Sequence, residues 1–257
     1  MRKKEPIIVF CYSFPHRKTY DFVSILVSKG YENLWLIAAP KVNLKHNKNT
    51  DFSNNHNLSK KYNVKNLCKK FNLNFCESAH DDKIKISKII HDSGAKTALI
   101  SGARIIKKEI IEMFPNGIIN FHPGKIPETS GLDSFFYSIK TNSPMGVTVH
   151  IIDDRVDAGF FIFFEKVKIA LDDTLESVKE KVYEIQLCSL SKYLDTYFGK
   201  KINFPPINRP RKNIPLSQVE KDSIILKFPI WKREQIEDIT KPSNYAGNPH
   251  EGLNRNE

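Results

Sequence analysis

Short apolar runs alternate with amphipathic stretches from the start of the chain to about residue 200. Ile7–Cys11, Asn33–Ala39, Leu73–Cys76, Thr97–Ser101, Ile118–Phe121 and Val147–Ile152 are each brief, apolar and bounded by turn residues. That pattern predicts strands, with Ile7–Cys11, Asn33–Ala39, Thr97–Ser101 and Ile118–Phe121 buried and Leu73–Cys76 short. Helical spacing predicts helices over Thr19–Ser28, Tyr62–Phe71, Lys83–Ser93, Lys107–Phe114 and Ser134–Lys140. Gly30 and Gly94 stand where the first and third of these should end. In the third, Ile84, Ile86, Ile89 and Ile90 are expected on one face. Phe160–Ile169 reads as a strand extending its neighbour as a hairpin, and Thr174–Phe198 as a long closing helix. Strand alternating with helix implies an α/β fold with a Rossmann-like, doubly wound, mostly parallel sheet.

Two stretches break the rhythm. Lys41–Lys61 is polar, rich in Asn, Lys and His, and predicts a long loop. After Gly199 the Pro-rich segment Phe204–Lys212 predicts an extended linker, followed by a strand over Ser223–Phe228 and a helix over Arg233–Ile239. The tail from Pro242 is dominated by Asn, Gly and Pro. Residues 1–200 are therefore expected to form one domain. Residues 201–257 are too few for a comfortable second core, and predict an extension packed on the first.

Composition narrows the picture little. The chain is 40% apolar and 27% charged, as in ordinary globular proteins. No apolar run approaches the roughly eighteen residues that cross a bilayer, so membrane insertion is not expected. Met1-Arg-Lys-Lys leads into a five-residue strand rather than a long apolar core, which makes the cytoplasm the expected location. Cys11, Cys68, Cys76 and Cys188 lack CxxC spacing and are expected to be free thiols. The net charge of +11 favours anionic partners. Its lysines are dispersed, and charge alone does not choose among nucleic acid, a nucleotide and a polycarboxylate cofactor. The expectation of small-molecule partners and no nucleic acid rests on the chain's motifs.

The candidate chemistry lies in Ile118-Ile-Asn-Phe-His-Pro-Gly124 and Gly146-Val-Thr-Val-His-Ile-Ile-Asp-Asp-Arg-Val-Asp-Ala-Gly159. Period-two alternation puts Asn120 and His122 on one face of a strand. Pro123, with no N–H to donate, ends the ladder and leaves the pair at the strand's carboxyl end. Open α/β sheets build ligand sites there. An amide can stabilise an oxyanion, an imidazole can donate to the same oxygen or move a proton, and Asp157 can orient it. His122, His150 and Asp157 lack recognised metal-ligand spacing, so no metal is expected. The GxSxG elbow, the P-loop and GxGxxG are all absent. His16, Arg17 and Lys18 fall at the start of the first helix, where an anion is welcome.

Asn120-Phe-His-Pro, Pro127, Gly131-Leu132, Gly146–His150 and Asp153–Gly159 together resemble the formyltransferase family that uses 10-formyltetrahydrofolate. The resemblance covers roughly residues 97 to 200. It implies the formyltransferase fold, with the catalytic Asn, His and Asp at Asn120, His122 and Asp157. It also implies that Arg104, Ile105 and Ile106 line the folate pocket, that Asp153 and Asp154 belong to the loop walling the pterin, and that His150 plays a supporting part. N10-formyltetrahydrofolate is the implied formyl donor. The segment Tyr12–Thr19 replaces the glycine-rich phosphate loop of the ribonucleotide transformylases. The tail is shorter than the added domain of the tRNA enzymes. The acceptor the resemblance then favours is the amino group of a nucleotide-linked amino-deoxy sugar, a surface-glycan precursor. Glycinamide ribonucleotide transformylase and formyltetrahydrofolate hydrolase are the alternatives. Trp231, Tyr12 and Phe14 are candidates to stack on the base, and the strand expected in the tail is a candidate surface for a homodimer.

Overall fold

The computed structural model describes residues 4–42, 62–208 and 213–239. Within β1 (Ile7–Tyr12) the first five side chains are all buried. A strand covered on both faces belongs at the centre of a sheet with helices on either side. It lies third in a seven-stranded sheet of order β3–β2–β1–β4–β5–β6–β7. The others are β2 (Leu34–Ala39), β3 (Asn74–Glu77), β4 (Thr97–Ile100), β5 (Ile118–His122), β6 (Gly146–Ile151) and β7 (Phe160–Lys166). β1 to β5 pair in parallel, whereas β6 is antiparallel to both β5 and β7. Strand order reverses between β1 and β4, the switch point at whose carboxyl edge such sheets bind ligands.

The two faces carry separate apolar clusters. α1 (Arg17–Ser28) and α6 (Leu175–Thr196) cover one, packing Phe22, Val23, Val178 and Leu190 with Val9 and Phe121. α3 (Lys83–Ser93) covers the other, with Ile86 and Ile89 joining Ile8, Phe10, Ile106 and Ile118. α2 (Val64–Phe71), α4 (Lys108–Ile111) and α5 (Ser134–Lys140) complete the helices described before residue 200. Ile118 belongs to the α3 side and Phe121 to the α1 side. By alternation Asn120 and His122 therefore project towards the α3 side.

Several expectations change. α3 runs from its Asp82 cap, which accepts the Lys85 N–H, to left-handed Gly94. Its buried face is Ile86 and Ile89, with Ile90 partly covered, while Ile84 is 86% exposed. At 100° per residue Ile84 lies about 200° from Ile86, on the opposite side. The helix expected over Lys107–Phe114 closes at Ile111 and continues as turns before Pro115. The strand expected over Ser223–Phe228 is helical instead. It spans the end of α7 (Gln218–Ile225) and the start of α8 (Phe228–Ile239). Ser217 and Glu220 form a reciprocal capping box that starts α7, and this signal outweighs the local apolar run. With that strand gone, the dimer surface expected of it is withdrawn. From residue 43 the expected loop, and all of the tail after Ile239, lie outside the described residues.

Among the described residues no helix is long and apolar enough to cross a membrane. The cysteines are unbridged. Trp231 is 2% exposed, lies in the α1-side core and donates from Nε1 to Ser143 O at 3.1 Å. It packs the core rather than standing free to stack on a base.

Candidate active site

β5 delivers its polar pair because its apolar positions Ile118, Ile119 and Phe121 hold the strand in the sheet up to Pro123. Antiparallel pairing sets Asn120 opposite His150 and His122 opposite Thr148. All four side chains share one face. Thr148 is fully buried, donates to Gly124 O at 2.6 Å and accepts the Ile126 N–H at 3.1 Å. It pins the turn that follows the strand.

His150 is also wholly buried, with Nδ1 2.8 Å from Ala158 O and Nε2 3.2 Å from Asn120 Nδ2. Burial lowers its pKa to about 4, with the nearby His122 adding to the effect. The ring is therefore neutral near pH 7. Its hydrogen sits on Nδ1, facing a carbonyl, which leaves the Nε2 lone pair to accept from Asn120. That bond fixes the Asn120 amide and leaves its second N–H and its carbonyl for a ligand.

His122 is 5% exposed. Its Nδ1 lies 3.4 Å from Asp157 Oδ2 and its Nε2 2.9 Å from Thr129 O. Acceptors on both nitrogens are satisfied together only when each nitrogen carries a hydrogen. Asp157 Oδ2 also takes the Gly131 N–H at 2.6 Å. Burial pushes the Asp157 carboxyl up, but the His122 contact, the Gly131 N–H and His150 outweigh it, and its pKa falls below the ordinary value. Asp157 has φ of +48°, a left-handed conformation uncommon for a residue with a side chain. Such strain persists only where the surroundings enforce it. Here Gly159 enforces the turn: its φ is +102°, and a Cβ there would lie 2.0 Å from Ile151 O.

The other expected site residues are placed less tightly. Arg104 donates to Pro40 O, tying the loop after β4 to the end of β2. Ile106 is buried in the α3-side cluster, against which Ile152 also packs, while Ile105 is 73% exposed. The loops 101–106 and 152–157 thus share an apolar floor. Asp153 accepts the Arg155 N–H and guanidinium, so its carboxylate shapes its own loop. Asp153 and Asp154 also line an open cleft of about 970 Å³ with Lys96, Asn116, Tyr197 and Phe204. That cleft lies at the amino ends of the parallel strands, and neither Asn120, His122, Asp157 nor Arg104–Ile106 lines it.

At the head of α1, His16 caps Thr19 N–H, and its pKa is lowered to about 4 by burial and then by Lys18. Lys18 Nζ donates to Phe121 O at 3.3 Å, and burial lowers the amine to about 7. Tyr12 stacks on Phe14 and donates to Ala103 O, filling the edge between β1 and β4. Thr129 O and the Gly131 N–H are the partners that side-chain reasoning missed, because both are backbone groups. Their one signal was Gly131, present in the motif. Among the described residues no cluster of three or more His, Cys, Asp or Glu side chains is suited to a metal.

The sequence model of the family described as Formyl transferase matches residues 44–193, more than half of the chain. The chain belongs to the formyl transferase family. Members of this family use N10-formyltetrahydrofolate as formyl donor. A phosphoribosylglycinamide formyltransferase of Bacillus subtilis (strain 168) is 28% identical over 90 residues, 35% of this chain and 46% of that protein. In this and five further curated relatives the matched segment spans less than half of the relative's length, from 10% to 46%. Among solved structures, a 4-N formyltransferase from Francisella tularensis superposes with a TM-score of 0.57 at 16% identity, over 86% of this chain and 87% of that one. A phosphoribosylglycinamide formyltransferase from Anaplasma phagocytophilum gives 0.56 at 16% identity, over 75% of this chain and 86% of that one. At such identities the formyl transferase likeness is one of fold.

Proposed function

We propose that this protein transfers the formyl group of N10-formyltetrahydrofolate to the amino group of a nucleotide-linked amino-deoxy sugar, a precursor of a surface glycan. The observation that carries the transfer is the oriented Asn120 amide beside the buried His122–Asp157 pair. The acceptor's amine nitrogen attacks the formyl carbon and forms a tetrahedral centre. Its oxyanion rests against the free Asn120 N–H, with the His122 ring beside it. As the bond from carbon to N10 breaks, the proton lost by the amine reaches N10, with Asp157 aiding the transfer. Arg104, Ile105 and Ile106, with the loop carrying Asp153 and Asp154, are the proposed folate contacts.

The acceptor reading rests on the segment after β1. Tyr12, Phe14 and His16 occupy it, and its described backbone holds no glycine of positive φ to cradle a ribonucleotide's phosphate. Lys18, without a carboxylate partner among the described ion pairs, offers N–H donors to an acceptor's diphosphate, whose negative charge would favour the protonated amine that burial disfavours. Residues 1–200 are the proposed catalytic domain and residues 201–257 its extension, working in the cytoplasm.

The test is mass spectrometry of products from a panel of nucleotide-linked amino sugars, with glycinamide ribonucleotide as a further acceptor and formate release measured without any. A formylated sugar supports the reading. Formylation of the ribonucleotide alone returns the protein to purine synthesis. Equal folate turnover with and without acceptors makes it a hydrolase.

A further inference from the structure

Thr129 O and the Gly131 N–H hold His122 and Asp157 from one side. The loop that carries them has short-range contacts of its own: Thr129 N and Oγ1 donate to Lys125 O at 2.9 and 3.1 Å, Ser130 N donates to Pro127 O at 3.4 Å, and Lys125 pairs with Glu128 at 2.8 Å. From the other side it meets Asn213, more than fifty residues beyond α5 and 7% exposed. Asn213 donates its backbone N–H to Ser130 O at 3.1 Å and its Nδ2 to Glu128 O at 3.2 Å. Gly131 and Asn213 bridge as a one-rung parallel ladder. The approach is close: Gly131 has φ of +96°, and a Cβ there would lie 2.9 Å from Asn213 O. A second clasp follows, in which Asp133, itself at φ +59°, accepts the Leu216 N–H at 2.9 Å and pairs with Lys221 at 2.7 Å.

We propose that Asn213 is a positioning residue for the formyl-transfer centre, locking the Glu128–Gly131 loop so that its backbone groups stay on His122 and Asp157. This rests on the function proposed above. Asn213 touches neither reacting group. Through three successive peptides it fixes where the imidazole and carboxylate stand, and a shift of about 1 Å at such a centre costs up to a hundredfold in rate.

Asn213→Ala removes the Nδ2 donor, and Asn213→Asp replaces it with an acceptor of the same shape facing the Glu128 carbonyl. Both variants should lower kcat about tenfold or more, Asn213→Asp the further, with KM for the folate within about twofold of wild type. Hydrogen exchange at the Gly131 amide should quicken in both, while the unfolding transition stays cooperative. The proposal is overturned if kcat holds, if Gly131 stays protected, or if activity falls only in proportion to unfolded protein. Should the wild type release formate without formylating any acceptor, the acceptor reading fails alone. The clasp is then judged on formate release and on Gly131 exchange.

Discussion

Asn120 shows how much a neutral histidine can do for an amide. An asparagine alone at a strand end can turn over, presenting oxygen or nitrogen to a ligand. His150 removes that freedom, because its Nδ1–H is committed to Ala158 O and only a lone pair is left for Asn120. Asn120→Ala should therefore cost about 3 kcal/mol of barrier, a hundredfold or more in kcat, with folate KM little changed; steady-state kinetics on the accepted substrate decide it. The same burial links the site to pH. A histidine whose pKa is about 4 folded and 6.5 unfolded binds its proton more readily when unfolded. Stability is then full above pH 6.5 and lost as pH falls towards 4, by about 3 kcal/mol for His150. His16 acts in the same direction over the same window. Urea midpoints measured between pH 7 and 4 should fall, and His150→Gln should shrink that fall. Asp157, its pKa depressed, adds a loss that begins only at lower pH. Period two made the Asn120–His122 pair legible in the sequence. The Asn120–His150 contact was not, because cross-strand register depends on where the intervening chain turns back.

The loop between β6 and β7 is the element that turns a strand pair into a site. It leaves β6 at Ile151, folds across the sheet face to bring Asp157 to His122, and re-enters at Phe160. Gly159 makes the return possible. Gly159→Ala would drive a methyl into Ile151 O while forcing an L residue to φ of +102°. The backbone must then move, and Asp157, two residues away, moves with it. We expect a loss of at least about 2 kcal/mol of stability and a fall in kcat exceeding that of the unfolded fraction; a variant with normal urea midpoint and full activity would contradict this account. The same scale explains where the elements were misread. The strand expected at Ser223–Phe228 rested on Ile224, Ile225 and Leu226, which suit either state. Ser217 and Glu220, three apart, held the deciding capping signal. Thr129 O and Gly131 N–H were beyond reach for another reason, since backbone groups have no residue type to read.

At the scale of the whole molecule, the described segment after residue 200 does not sit beside the core around the sheet but contributes to it. Leu216, Ile224, Phe228 and Trp231 belong to the same apolar cluster as Val9, Phe121 and Leu190. The helix pair α7–α8 is further tied down where Lys232 donates to Leu171 O and Asp173 O, and where Tyr137 donates to Ile214 O. These contacts all run to the rim around α5 and α6, and the rim's loop carries the groups on His122 and Asp157. A shared core of this kind should unfold as one unit. Trp231 offers the test, since it is the largest fully buried side chain and loses a hydrogen bond as well as packing when cut back. Trp231→Ala should cost about 3–5 kcal/mol. If extension and core are one cooperative unit, far-UV dichroism and activity will lose their midpoints together in urea. If the extension were only an attached module, activity would survive at urea concentrations where part of the helical signal has gone, and the route from Asn213 to the catalytic pair would be optional.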